Sequence, residues 1–355
     1  MGGVPWSNTH AGVHRLLRVR QSLLPAGATV LVAVSGGQDS VCLLKLLVDL
    51  QPKWGWHLRV VHCDHGWRAD SGANAEFVKE LCDRWAIPCN VVVADAPYST
   101  EAAARQWRYR VFDDLARQAH CTRVVTGHTA SDRTETLLYN LLRGSGIDGL
   151  QALVWQRPLT PASAIAVVRP LLGLTRQQTA DFCRQFGLPI WEDATNQDLG
   201  YARNRIRLEL LPYLQQHFNP AVESTLAHTA ELLTAEVELL ERLAAELYET
   251  VVLPATDDAP WRLVRSPLAS APLALQRRVV RRVLQQATCA QVSFEQVEKL
   301  VALLTAPNGS QSDPFPGRMV AVVQGEWVVV SRGSEGGYTG NSYINTFSDP
   351  NRPVD

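Results

Sequence analysis

The stretch LVAVSGGQDSVCLLKLL, residues 31–47, passes from one apolar run through two glycines into a second apolar run. The first run, residues 30–34, is continuous and rich in valine, the pattern of a strand buried on both faces. The second sets Val41, Leu43, Leu44, Leu46, Leu47 and Leu50 at helical spacing. Ser35, Gly36, Gly37, Gln38, Asp39 and Ser40 therefore fall in a strand-to-helix turn, where bare N–H groups and the helix dipole favour an anion. The turn has the makings of a phosphate cradle.

Two familiar cradles are excluded by spacing. A Walker A loop would place Gly-Lys-Ser/Thr after four spacers, and no such triplet follows Gly37. The dinucleotide fingerprint G-x-G-x-x-G is absent too. What stands there, S-G-G-Q-D-S, resembles the signature loop of the ATP pyrophosphatases, which cut ATP between the α and β phosphates and hold pyrophosphate in this turn. The competing reading is a tight turn that needs glycine only for its positive φ. The flanking Ser35, Asp39 and Ser40 argue against it.

The 355 residues are enough for two domains, and the 46% hydrophobic, 19% charged composition is that of a globular protein. No apolar run reaches the ~20 residues of a membrane span, and the first residues lack the basic-then-apolar layout of a signal peptide. We expect no membrane association. Seven cysteines without a C-x-x-C pair fit reduced thiols in a cytoplasm and give no zinc or iron–sulfur frame. A net charge of −1 leaves any nucleic-acid binding to local patches.

After a short amphipathic N-terminal helix, strand-like runs at 29–34, 58–62, 90–94, 123–126 and 165–168 alternate with helical stretches near 40–50, 71–86, 100–119, 131–143 and 175–187. That rhythm predicts an α/β fold with a doubly wound parallel sheet over residues 1–215. Ligands in such sheets sit beyond the carboxyl ends of the strands, where the winding reverses. From about 216 the rhythm stops. A long helix over 223–249, with an apolar stripe of Leu226, Leu232, Leu233, Leu239, Leu240, Leu243 and Leu247, leads into a smaller, mainly helical domain ending near 333. Residues 334–355 are Gly-, Ser-, Asn- and Pro-rich, the composition of a disordered tail.

Four further segments resemble one pyrophosphatase family, the tRNA(Ile)-lysidine synthetases. VVHCDHGWRADSGANAEFV is similar to its H-x-x-H-G-x-R segment; EAAARQWRYRVF matches A-R-x-x-R-Y through Ala104, Arg105, Arg108 and Tyr109. GHTASDRTETLLYNLLRGSG is similar to G-H-H-x-D-D-Q-x-E-T ending in R-G-S-G. WEDATNQDLGYARNRIRLELLPYL resembles E-D-x-[ST]-N followed by R-N-x-I-R. The segments run in order over residues 27–215; beyond 216 the likeness is weaker. The resemblance implies an adenine nucleotide alpha hydrolase-like fold and ATP and Mg²⁺ as cofactors, with Asp39 on the metal. It also implies two substrates, free L-lysine and an isoleucine tRNA with a CAU anticodon. It leaves room for a homodimer.

The residues themselves fit adenylation of a base followed by attack of an amine. Asp132 and Glu135 lie three apart on one helical face, after Gly127-His128 at a strand end. A carboxylate pair could hold the lysine ammonium and take its proton from a reference pKa of ~10.4. An exposed acidic face pairing with Arg133 is the plainer reading of the spacing alone. Arg105 and Arg108 suit phosphate or carboxylate equally with a solvated face, and the resemblance singles out Arg108. Arg203, Arg205 and Arg207 would anchor phosphate or RNA, or form salt bridges with Glu192 and Asp193. His62 and His128 sit at strand ends, where the nucleotide would lie; no metal-ligand spacing joins His62 to His65. In LALQRRVVRRVL, Arg277, Arg278, Arg281 and Arg282 form a basic stripe for the tRNA backbone unless acids neutralise it.

The family's second histidine and first aspartate are replaced here by Thr129 and Ser131, and its glutamine by Arg133. Either Asp39 carries more of the metal binding, or Arg133 takes over phosphate charge. The expected activity is ATP-dependent ligation of lysine to C2 of the wobble cytidine, turning an AUG reader into an AUA reader. Related readings are tRNA thiolation, disfavoured by the lack of a C-x-x-C pair, and an ammonia-dependent nucleotide synthetase. A non-enzymatic binding module is disfavoured by the intact loop.

Overall fold

The computed structural model describes residues 6–66, 70–96, 98, 100–161, 163–192, 197–257 and 259–333. The chain divides into two compact units at Ala235/Glu236. The tail expected over 334–355 lies outside the described residues.

The first unit begins with helix α1 (Asn8–Val19), then runs β1 (Thr29–Ala33), α2 (Gln38–Trp54), β2 (His57–Asp64), α3 (Ser71–Arg84), β3 (Cys89–Val93), α4 (Glu101–Gln118), β4 (Arg123–Thr126) and α5 (Ala130–Leu142). A single turn, α6 (Ile147–Leu150), precedes β5 (Gln156–Pro158), β6 (Ala166–Val168) and α7 (Arg176–Gln185). Then come α8 (Ala202–Arg205), a π-helical stretch (Ile206–Leu210), α9 (Leu211–His217) and α10 (Val222–Val251), which continues into the second unit.

Among the described residues the sheet has the order β3-β2-β1-β4-β6-β5, parallel except for β5, which pairs antiparallel with β6. The valine-rich run at 30–34 explains the central position of β1. Val30, Val32 and Val34 pack on the α2 leucines and Phe182 of α7, while Leu31 packs on Val61, Val124, Val167 and, from α4, Phe112. Both faces of the strand are thus covered, as its unbroken hydrophobicity requires. The chain leaves β1 toward β2 and β3 on one side, and β4 toward β6 on the other. The winding reverses between β1 and β4, whose carboxyl ends open side by side. No helix among the described residues is long and apolar enough to cross a membrane.

The second unit is the smaller domain expected, rich in helix, and it also carries a small sheet. Strands β7 (Val252–Leu253) and β8 (Trp261–Val264), helices α11 (Arg265–Ser270), α12 (Leu273–Thr288) and α13 (Phe294–Leu303), and strands β9 (Met319–Gln324) and β10 (Trp327–Arg332) build an antiparallel sheet of order β7-β8-β10-β9 with helices upon it. The apolar run MVAVVQGEWVVVS, residues 319–331, is a hairpin, split where Gly325 takes φ +58°. Val279, Val280, Val283 and Leu284 of α12 meet Leu263, Val328 and Val330 of the sheet in the core.

The long helix spans almost the residues predicted but buries a different stripe. Ala227, Ala230, Thr234, Val237, Ala244, Tyr248 and Val251 are buried, whereas Leu232, Leu239 and Leu243 are exposed. Mostly small side chains thus form a narrow buried seam, Leu226, Leu233, Leu240 and Leu247 are half-buried along its edge, and three leucines lie off it.

Candidate active site

The reversal point holds a cavity of about 500 Å³. The 35–40 loop forms its floor. Gly36 has φ +88°, and a Cβ there would lie 2.4 Å from Asn74 Oδ1, so the turn admits only glycine without rearrangement. Gly37 caps α2 without a side-chain bond, and its N–H is only 3.4 Å from Ser35 Oγ. The Ser40 hydroxyl donates to the Gly37 carbonyl at 2.8 Å and ties the turn shut. Across the gap, a Cβ on Gly127 would come within 3.0 Å of Asp39 and Ser40 backbone atoms. That glycine lets the β4 end press against the start of α2.

Helix α7 orients the loop's polar side chains. The Gln38 amide donates to the Arg176 carbonyl at 2.7 Å and to Thr179 Oγ1 at 2.8 Å, and the Thr179 hydroxyl donates to the Asp39 carboxylate. Arg176 Nη1 stands 3.9 Å from Asp39 Oδ2. Burial pushes the Asp39 carboxyl above its usual range, and Arg176 and Thr179 oppose that push.

Opposite, α5 begins with a capping box. The Thr129 N–H and hydroxyl both donate to Asp132 Oδ2, at 2.7 and 2.8 Å. Burial alone would raise the Asp132 carboxyl, but His128, these two bonds and Arg207 together hold it below its ordinary value. His128 shares a 2.8 Å hydrogen bond with Thr126 Oγ1. Burial, helped by Arg169, Arg105 and Arg203 against Asp132, brings its pKa down to about 4, so the ring is neutral at physiological pH. His62 Nδ1 lies 2.8 Å from the Val34 carbonyl, which fixes the ring at the end of β2.

The cationic side comes from α4, α8 and the π-helical stretch that follows it. Arg108 lines the cavity with its Nε buried and, among the described residues, without a hydrogen-bond partner; burial plus the neighbouring Arg105 lower its pKa. An unanswered guanidinium N–H in the cavity that also holds the start of α2 suits an anionic ligand such as a triphosphate. Arg203 donates to Thr136 Oγ1 at 3.2 Å, and Arg207 holds Glu135. Neither uses Glu192; Asp193 lies outside the described residues, as do 194–196 of the same motif. For Mg²⁺, Asp39 is the best-placed carboxylate, since one carboxylate plus substrate phosphates is a usual magnesium set. The described residues form no group of three or more His, Cys, Asp or Glu suited to a metal.

Ser35, Gly37, Gln38, Asp39, Ser40, His62, Arg108, His128, Asp132, Arg203 and Arg207 therefore line one cavity. Gly36 lies beneath them, its carbonyl taking the Trp191 N–H at 2.9 Å. Glu135 is buried behind Asp132, and Arg205 is exposed off the lining. In the second unit Arg277 bonds Glu298 at 2.7 and 3.0 Å, Arg278 pairs with Glu241, and Arg282 lies 4.4 Å over the Tyr248 ring. Arg133 corrects an expectation: it does not reach the nucleotide loop. It is buried on the far side of α5, donating to the Leu153 carbonyl and to Glu231, so it adds no charge for phosphate. Asn74, Arg176, Thr179, Trp191 and Tyr201 support or line the site unforeseen. Only Tyr201, an aromatic two residues before Arg203, carried a readable signal.

Residues 12–214 match a family model described as a PP-loop domain, and residues 263–328 match one described as a TilS substrate binding domain. A tRNA(Ile)-lysidine synthase from a Nostoc species is 55% identical over 338 residues, covering 92% of this chain and 98% of that one. The protein of that name from Thermosynechococcus vestitus is 51% identical over 92% and 93% of the two chains. A chloroplastic one from Zygnema circumcarinatum is 35% identical over 83% and 79%. Among solved structures, the U34-tRNA thiolase NcsA from Methanococcus maripaludis superposes with a TM-score of 0.53 at 14% identity, over 64% of this chain and 78% of that one, a likeness of fold. Both halves of the chain and nearly its whole length thus agree on one assignment: the chain belongs to the tRNA(Ile)-lysidine synthase family, PP-loop ligases that use ATP.

Proposed function

We propose that the protein joins free L-lysine to C2 of the wobble cytidine in the CAU anticodon of an isoleucine tRNA. In the first step the cytosine O2 attacks the α-phosphorus of ATP, and pyrophosphate leaves into the 35–40 loop. In the second, the lysine ε-amine adds to C2, AMP leaves with that oxygen, and the amine sheds its proton. ATP, lysine and tRNA go in; modified tRNA, AMP and pyrophosphate come out.

The observation that carries this reading is the single cavity joining the start of α2 to Asp132. At its floor, the N–H groups of α2 and Arg108 offset the charge that grows on the leaving pyrophosphate. Magnesium held by Asp39 would supply further neutralisation there. Asp132, kept ionised, is placed to receive the lysine ammonium and orient it; Glu135 acts behind it by fixing Arg207. The neutral His128 adds no positive charge beside the lysine ammonium. The second unit, with its substrate-binding-domain match and arginine-bearing α12, is the part we assign to the tRNA body.

The test is the substrate requirement for AMP formation. Supplied with ATP, lysine and a CAU isoleucine tRNA, the protein should release AMP and pyrophosphate one to one; omission of the tRNA should stop both. Equal release without tRNA would contradict the proposal.

A further inference from the structure

A base whose C2 is to be adenylated must leave its stack, and proteins that hold such bases place an aromatic face against them. Among the described residues, four aromatic rings besides histidines line the cavity: Tyr109, Phe112, Trp191 and Tyr201. Three are engaged. Phe112 is buried in the core under the sheet. Tyr109 has the Arg105 and Arg157 guanidiniums over its ring, at 5.1 and 4.9 Å. Trp191 packs on Phe77 at 5.7 Å, and its backbone N–H is spent on Gly36.

Tyr201 differs from all three. It is 47% exposed, and among the described residues no ring packs on it and its hydroxyl holds no hydrogen bond. Its backbone is nevertheless fixed: the N–H donates to the Asp198 carbonyl at 3.3 Å, and the carbonyl accepts from the Arg205 N–H at 3.1 Å. A large apolar face is thus held at the cavity mouth, where folding leaves it wet. Arg203, two residues along the chain and also on the lining, supplies a cation for a sugar-phosphate backbone. We infer that Tyr201 is the platform on which the cytosine to be modified stacks. The inference rests on the proposed activity and adds the residue that presents the base.

Stacking depends on the ring and not on the hydroxyl, so the variants to compare are Tyr201→Ala, Tyr201→Leu and Tyr201→Phe. Because the side chain is exposed, all three should melt near the parent temperature. The Ala and Leu variants should lose about tenfold or more in kcat/KM for tRNA while ATP affinity stays at the parent level, and Tyr201→Phe should recover most of the loss. A fluorescent cytidine analogue at the wobble position gives a readout independent of turnover. Its emission in the bound state should be quenched by the parent and by Tyr201→Phe, and brighter with Tyr201→Leu. Parent-like kcat/KM for Tyr201→Ala, or a loss in Tyr201→Phe equal to that in Ala, would overturn the inference and leave the proposed activity standing. A parent enzyme with no tRNA-dependent pyrophosphate release would remove both.

Discussion

Arg207 grips Glu135 with two parallel hydrogen bonds, Nε to Oε1 at 2.6 Å and Nη2 to Oε2 at 2.9 Å, and the same guanidinium stands 3.9 Å from Asp132. Glu135 is 2% exposed, and burial raises its carboxyl pKa in spite of Arg207. Such a pair costs desolvation to build but more to break, because the survivor is left charged and unanswered. Glu135→Ala should therefore destabilise the protein by about 3 kcal/mol. Adding Arg207→Ala should cost less than the sum of the two single changes. Urea unfolding of the four proteins in the cycle measures the coupling, and strict additivity would show that the pair does not act as a unit.

Asp39→Asn should cut tRNA-dependent pyrophosphate release by ~100-fold or more, since it removes charge where the reaction develops it. The Thr179 and Gln38 bonds reach atoms that an amide can partly replace, and the change removes a buried charge. The melting temperature should therefore hold within a few degrees. Full turnover in this variant would exclude Asp39 from the chemistry.

His128 predicts a specific acid sensitivity. Its folded pKa of about 4 lies below the unfolded value of about 6.5, so the unfolded chain binds the extra proton. The stability linked to this ring is present above pH 6.5 and is lost as pH falls toward 4. Urea midpoints measured from pH 7.5 down to 4.5 should fall more steeply in the parent than in His128→Gln. Parallel curves would mean that the ring titrates alike in both states.

Two arginines of α12 already hold acids, Arg277 with Glu298 and Arg278 with Glu241. The Arg277 pair is partly exposed on both sides, so it is weak and can be exchanged for phosphate, while Arg278 is largely buried and Glu241 exposed. Replacing Arg277, Arg278, Arg281 and Arg282 by glutamine should weaken tRNA binding and flatten its salt dependence, by up to ~0.9 in the log–log slope for each phosphate left unneutralised. An unchanged slope would confine these side chains to internal bridges.

Much of this architecture is legible in the chain because its signals are local. The valines around β1, the glycines at 36 and 37 and the leucines of α2 each impose their conformation on a few neighbours, and together they place the cavity. What the sequence hides depends on distant pairing. β5 is three residues ending in proline, too short for a period-2 pattern, and exists only because Ala166–Val168 offers an edge. Asp132 and Glu135 share a helical face by spacing, yet one lines the cavity and the other is sealed behind it by Arg207, seventy-two positions beyond Glu135 in sequence. The motif leaves open whether Arg133 takes over phosphate charge or Asp39 carries more of the metal binding, and only distant partners decide against the first, since Glu231 and the Leu153 carbonyl claim Arg133 on the opposite side of α5. The leucines of α10 suggest a buried stripe, but Leu226, Leu233, Leu240 and Leu247 are half-buried and the fully buried line beside them holds mostly smaller residues.

The central claim is that lysine becomes covalently attached to the wobble cytidine. Its most direct measurement is incubation with ATP, isotopically labelled lysine and a CAU isoleucine tRNA, followed by digestion to nucleosides and mass analysis. The label should appear in a single nucleoside with the mass of cytidine plus lysine less one water, and in none when the wobble base is changed to uridine. Label absent from the RNA, while AMP and pyrophosphate are still formed from tRNA and ATP, would contradict it.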